Sequence, residues 1–155
     1  MSRTIYLLDT STGQDSTTAG AVNGIFLDKQ FTVPADRVWR IKNVGVTAIT
    51  SAAVGNRRLA VQINRAVTGD TEPYIDVRAG VDQAASVTRY YQFFPEAALQ
   101  APFADTDWLT VPLPDAELPE GWVVRIFDEA AIGTTAAPDD MDVHLLVEQR
   151  GYNES

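Results

Sequence analysis

The chain has no cysteine and one histidine in 155 residues. Disulfides and thiolate metal sites are therefore excluded, and so is a Cys–His nucleophile pair. With His144 as the sole imidazole, a metal centre built from several histidines on a β-barrel is excluded too. A Ser–His–Asp triad would have to use His144, and no GxSxG elbow accompanies it. Neither a GxGxxG nor a Walker loop occurs, and the closest stretch, AVGNRR (53–58), lacks the glycines and the lysine. Long apolar runs are also missing, whereas a bilayer-spanning helix needs about 20 apolar residues. The first twenty residues hold one arginine and one short apolar patch, too little for a signal peptide, so synthesis and use without Sec export are expected.

Positive charge is scarce. Twelve basic residues face 21 acidic ones for a net charge of −9, and only Lys29 and Lys42 among the twelve are lysines. Such a surface repels nucleic-acid backbones and anionic lipid, so neither nucleic acid nor membrane is an expected partner. The excess of arginine reflects either coding bias or fixed carboxylate contacts, which arginine makes better than lysine.

What is present is a globular composition, 45% hydrophobic, at a length suited to one domain. Residues 1–24 stand apart: rich in Thr, Ser and Gly, with Ile5, Tyr6, Leu7 and Leu8 as their apolar patch. They read either as a frayed tail or as an extended N-terminal arm whose TIYLL segment adds to a neighbour's sheet edge. Residues 25–150 form the domain, and 151–155 a C-terminal tail.

Within the domain the apolar pattern has period two, broken by turn signals. Strands are expected near 25–33, 38–50, 57–64, 73–78, 86–93, 107–112, 121–128 and 141–149. In the second of these, Trp39 and Ile41 share a face. The phase then shifts to Val44, Val46 and Ala48, which predicts a β-bulge beside Asn43 and Gly45. PEAALQ (95–100) is the one helix-like stretch. Eight strands in about 130 residues predict an all-β fold, an eight-stranded, jelly-roll-like antiparallel β-sandwich.

Two phrases echo each other: TVPADRVWRI (32–41) and ELPEGWVVRI (117–126). Proline pre-sets φ and removes a donor where pairing has not begun, so each phrase predicts a corner feeding a strand. The repetition points to construction, not catalysis.

Four acidic clusters, at 105–107, 115–120, 127–129 and 139–142, sit at predicted strand ends. They read as a solvated rim; Asp139, Asp140 and Asp142 could also offer oxygens to Ca²⁺, without EF-hand spacing. Trp39 and Trp122 lie in apolar strands and read as core, whereas Trp108 is the candidate for exposure and for a sugar platform. The twin arginines Arg57 and Arg58 follow a small-residue loop. They read as solvated, or as pairing with a neighbouring subunit's acids.

The succession VPADRVWRIKNVGVTAITSAAVGNRRLAVQI, VDQAASVTRYYQF, VPLPDAELPEGWVVRIFD and DDMDVHLLVEQ resembles small jelly-roll decoration (cement) proteins of tailed-bacteriophage capsids, over residues 30–150. The resemblance implies a non-enzymatic virion protein on the capsid surface, made in the host cytoplasm. It would clamp neighbouring major capsid protein subunits, often as a homo-oligomer, with a trimer favoured. It assigns no catalytic residue, cofactor or metal. Interface residues are expected among Ile5, Tyr6, Leu7, Leu8, Arg57, Arg58 and Trp108. The alternative is a carbohydrate- or receptor-binding β-sandwich of a tail or fibre.

Overall fold

A computed structural model describes residues 4–9, 28–65, 73–97, 107–130 and 139–151. They form ten strands: β1 (Thr4–Asp9), β2 (Asp28–Thr32), β3 (Arg37–Ile49), β4 (Leu59–Asn64), β5 (Ile75–Arg78), β6 (Thr88–Phe94), β7 (Trp108–Pro112), β8 (Glu117–Leu118), β9 (Val123–Asp128) and β10 (Asp140–Gly151). The chain is all-β, with no helix among the described residues. One sheet runs β1-β10-β3-β6-β7, with β8 pairing the start of β3; the other runs β2-β9-β4-β5.

The two sheets enclose one apolar core. The larger contributes Ile41, Val44, Val46, Tyr91, Phe93, Val143, Leu145 and Val147; the smaller contributes Phe31, Val61, Ile63, Val124 and Ile126. This is a β-sandwich, made by inward-facing alternate residues of each strand. Along β10 the alternation is strict: Met141, Val143, Leu145 and Val147 are buried, while Asp140, Asp142 and His144 are exposed.

The structure departs from the sequence expectation at three points and meets it at a fourth. Ten strands are described where eight were expected, because the patch at residues 4–9 is itself a strand and β8 is too short to show a period. All pairs are antiparallel except β6 with β7, which is parallel. The expected bulge is present beside Asn43: β3 slips its register against β10 between Ile41 and Asn43, leaving Lys42 as the extra residue. This brings Val44 back to the core after Ile41. Finally, the helix-like stretch begins as a turn, with Glu96 at φ 68°, a left-handed conformation that a helix does not admit. Residues 98–100 of that stretch lie outside the described residues.

The echoed phrases are two copies of one corner, and the copies touch. In each, the residue three after the proline donates its N–H to the proline carbonyl: Arg37 to Pro34 and Trp122 to Pro119, both at 3.3 Å. In each, the residue before that donor has positive φ, Asp36 at 59° and Gly121 at 79°. Reciprocal backbone bonds join the corners, Val33 N to Trp122 O and Gly121 N to Val33 O, each at 2.9 Å. Glu120 Oε2 accepts from Asp36 N at 2.6 Å. The tryptophans are not equivalent. Trp39 is buried and donates its indole N–H to Gln149 Oε1 at 2.9 Å. Trp122 is partly buried and meets Tyr74 edge-on.

Gly121→Ala is therefore expected to destabilise by about 1–2 kcal/mol, the cost of an L-residue in the left-handed region. Asp36→Gly is expected to be neutral or stabilising, because the same conformation is then relaxed. Thermal melts of the two variants check the pair; similar Tm losses in both would contradict the shared-corner account.

Candidate interaction surface

One end of the sandwich is built from the loops 50–58, after β3, and 79–87, after β5, with the chain reaching β10 at Asp139. The two loops are laced together through the backbone. Thr50 N donates to Val87 O at 3.0 Å, Ser86 N to Ser51 O at 2.9 Å, and Ala79 N to Leu59 O at 2.8 Å. Arg57 and Gln83 exchange both backbone bonds at 2.8 Å. The Thr50 hydroxyl donates towards Ala84 O at 2.6 Å and accepts from Val87 N at 2.9 Å.

Beneath them lies a buried polar network. Arg57 and Asp139 form a two-point ion pair: Nε to Oδ2 and Nη2 to Oδ1, each at 2.9 Å. Their side chains are 1% and 0% exposed. Arg57 Nη1 donates to Gly55 O at 2.6 Å, and Ser51 N donates to Asp139 Oδ1 at 2.7 Å, so the pair grips both ends of the 51–56 loop. Beside it, the buried Tyr91 hydroxyl donates to Gln83 Oε1 at 3.0 Å. Gln83 Nε2 donates to Ala48 O and Val87 O at 2.8 and 2.9 Å. Burial pushes the Tyr91 phenol up, and Arg89 only partly offsets it. For Asp139, burial pushes the carboxyl up, but hydrogen bonds from Arg57 and Ser51 outweigh it. The carboxyl stays below its ordinary value near 4. Arg89 donates Nη1 to Asp82 O at 2.8 Å, while its buried Nε has no partner in the structure.

The pinned loop carries Val54 at its tip, 95% exposed, with the exposed Val81 on the neighbouring loop.

The expected interface residues separate sharply. Arg57 is a correction: it is buried in the fold and its fork is occupied by Asp139, so it has no surface to offer a partner. Arg58 is half exposed and pairs with this chain's own Asp82, Nε to Oδ1 at 2.8 Å. Such an exposed pair contributes about 0–1 kcal/mol. With Asn56, Asp82, Glu129 and Ala130 it lines a shallow open depression of about 320 Å³. Trp108 is exposed on β7, with its ring stacked on Tyr90 at 4.4 Å between centroids and 19° between planes. Ile5, Tyr6, Leu7 and Leu8 of the expected arm stand opposite Glu148, Val147, Leu146 and Leu145 of this chain's own β10. The rest of the proposed arm, residues 10–24, lies outside the described residues.

The acidic clusters are less idle than a solvated rim. Asp115 makes a two-point contact with Arg40, Glu117 pairs with Arg150 at 2.8 Å, and Glu129 with Arg78 at 2.7 Å. Asp128 is buried and accepts from Arg58 N and Ala130 N at 2.9 and 3.0 Å. Asp139 is turned inward onto Arg57, away from Asp140 and Asp142. Among the described residues no group of three or more His, Cys, Asp or Glu is placed to hold a metal.

Comparison with protein-family models, curated proteins and solved structures finds no match to this chain.

Proposed function

We propose that this chain is a jelly-roll structural protein of a tailed-phage virion, a capsid decoration protein that docks on the outside of the head and holds major capsid subunits together, as a homo-oligomer. Two lines support the reading. The first is topological. Setting aside β7, which pairs parallel, and the two-residue β8, the eight remaining strands pair first with last, second with seventh, third with sixth and fourth with fifth: β1·β10, β2·β9, β3·β6 and β4·β5. A jelly roll is such a nested set of pairs rolled into two sheets. This deepens the sequence resemblance, whose motifs are likewise corners and strand cores.

The second line, which carries the docking half, is Val54 on its pinned loop. A buried ion pair is a costly way to gain stability and is better suited to fixing one geometry. Here that geometry holds a bare valine in solvent. An apolar knob entering a socket at many repeated sites gives a weak contact strength through number.

The test uses shells of the major capsid protein encoded with this chain, assembled without it and then supplemented. Saturable co-sedimentation and greater heat resistance of the shells are expected. Val54→Asp should lower binding about tenfold or more, equivalent to about 1.4 kcal/mol or more, and leave the Tm of the free protein unchanged. Absence of wild-type binding would remove the cement reading. The alternative, a glycan- or receptor-binding module of a tail or fibre, draws on the half-exposed Trp108.

A further inference from the structure

A second surface lies on the outer face of the six-stranded sheet, at the end where β3 runs into the 50–58 loop. Register places Asp142 (β10), Thr47 (β3), Tyr90 (β6) and Trp108 (β7) side by side in one row across four strands. The next row holds Asp140, Ile49 and Thr88. Ile49 and Trp108 are exposed large apolar side chains, 43% and 50% accessible. The Tyr90 ring backs Trp108 and fixes its plane. Asp140 and Asp142 are both exposed, and neither makes an ion pair among the described residues. Asp140 Oδ1 accepts from the N–H of Met141 at 2.9 Å. Among the other exposed acids, Asp82, Asp115, Glu117 and Glu129 are each matched by an arginine of this chain, whereas Asp36, Glu96 and Glu120, like Asp140 and Asp142, make no ion pair among the described residues.

A flat aromatic pair on the same face as two carboxylates that make no ion pair among the described residues is complementary to guanidinium groups. Arginine stacks on aromatic faces and pairs with carboxylates through its planar fork, and few other groups do both. Strand spacing of about 4.8 Å puts Asp142 about 14 Å from Trp108 along the row. In an extended segment, side chains four positions apart point the same way and are separated by about 13 Å. We infer that this face binds an extended protein segment bearing two arginines four positions apart, one stacked on Trp108 and the other paired with Asp142 or Asp140. A neutral glycan would use the aromatic pair but give the carboxylates no role. The inference concerns this face alone and stands whether or not the chain works in a virion.

The probe is a capped Gly/Ser peptide with two arginines at that spacing, titrated into the isotope-labelled full chain at moderate salt. The expected result is saturable amide and indole shifts confined to residues 47–49, 88–92, 108 and 140–142. Trp108→Ala should weaken binding about fivefold or more, as should Asp140→Asn combined with Asp142→Asn, with Tm unchanged in each. A glutamine-for-arginine peptide should give no shifts. Three results would each overturn the inference: shifts scattered over other acidic surfaces, binding indifferent to these substitutions, or a neutral oligosaccharide that binds here when the arginine peptide does not.

Discussion

Arg57→Ala is expected to destabilise the protein by about 3–5 kcal/mol, the usual cost of removing one partner from a buried ion pair. For a chain of this size that is a Tm loss of about 6–20 °C. The reason lies less in the bonds lost than in what stays behind. Asp139 is fully buried and, among the described residues, would keep only Ser51, through its N–H and hydroxyl, as a donor to its carboxylate. The variant's pH dependence should reverse in sign. In the wild type Asp139 titrates below its ordinary value, so its contribution is complete above about pH 4 and is lost as pH falls through the depressed folded value. Without Arg57, burial dominates and raises that carboxyl, so the penalty is largest at neutral pH and shrinks on acidification. The Tm gap between wild type and variant should thus narrow from pH 7 to pH 5. Replacing both partners, Arg57→Met with Asp139→Leu, should recover most of the loss, because no uncompensated charge remains. A single variant with wild-type Tm at pH 7 would show that the pair is not buried in solution.

The role of Arg57 was within reach of the sequence. The alternation that puts Leu59, Val61 and Ile63 inside puts Arg57 inside as well and Arg58 outside. Treating the two as a twin set missed the pleat. Its partner was not legible, since Asp139 lies 82 positions away among three neighbouring aspartates and nothing local separates the one that turns inward. The long strands were legible for the opposite reason. In β3 and β10 one face is core and the other solvent, so composition alternates with the backbone. β4 was legible from Leu59, Val61 and Ile63, although Ala60 between them is buried as well. β8 has two residues and no period to display. The repeated Pro corner read correctly as construction, although its mutual hydrogen bonds, joining residues nearly ninety positions apart, could not be foreseen. Val54 stood in plain view within SAAVGNRR, but exposure depends on how tightly the loop is held, and that is decided beneath it by Arg57 and Gln83.

Deleting residues 1–9 is expected to damage the fold, contrary to what a detachable arm implies. β1 runs antiparallel to β10 through six consecutive register pairs, from Thr4 with Gln149 to Asp9 with His144. Without it, β10 becomes the edge of the sheet, and its backbone donors and acceptors on that side lose their partners. Net hydrogen bonds of about 1 kcal/mol each, less the entropy of ordering the strand, put the loss on the order of 2–4 kcal/mol. The new edge would also be twelve residues long, and long unprotected edges recruit other strands. The truncated chain should therefore melt earlier and elute as a concentration-dependent mixture of species, where the full chain gives one. A synthetic peptide of residues 1–9 in excess should restore both Tm and monodispersity by strand addition. If the truncated chain has the full-length Tm and stays monodisperse, β1 is a true arm, available to a neighbour, and the sheet is complete without it.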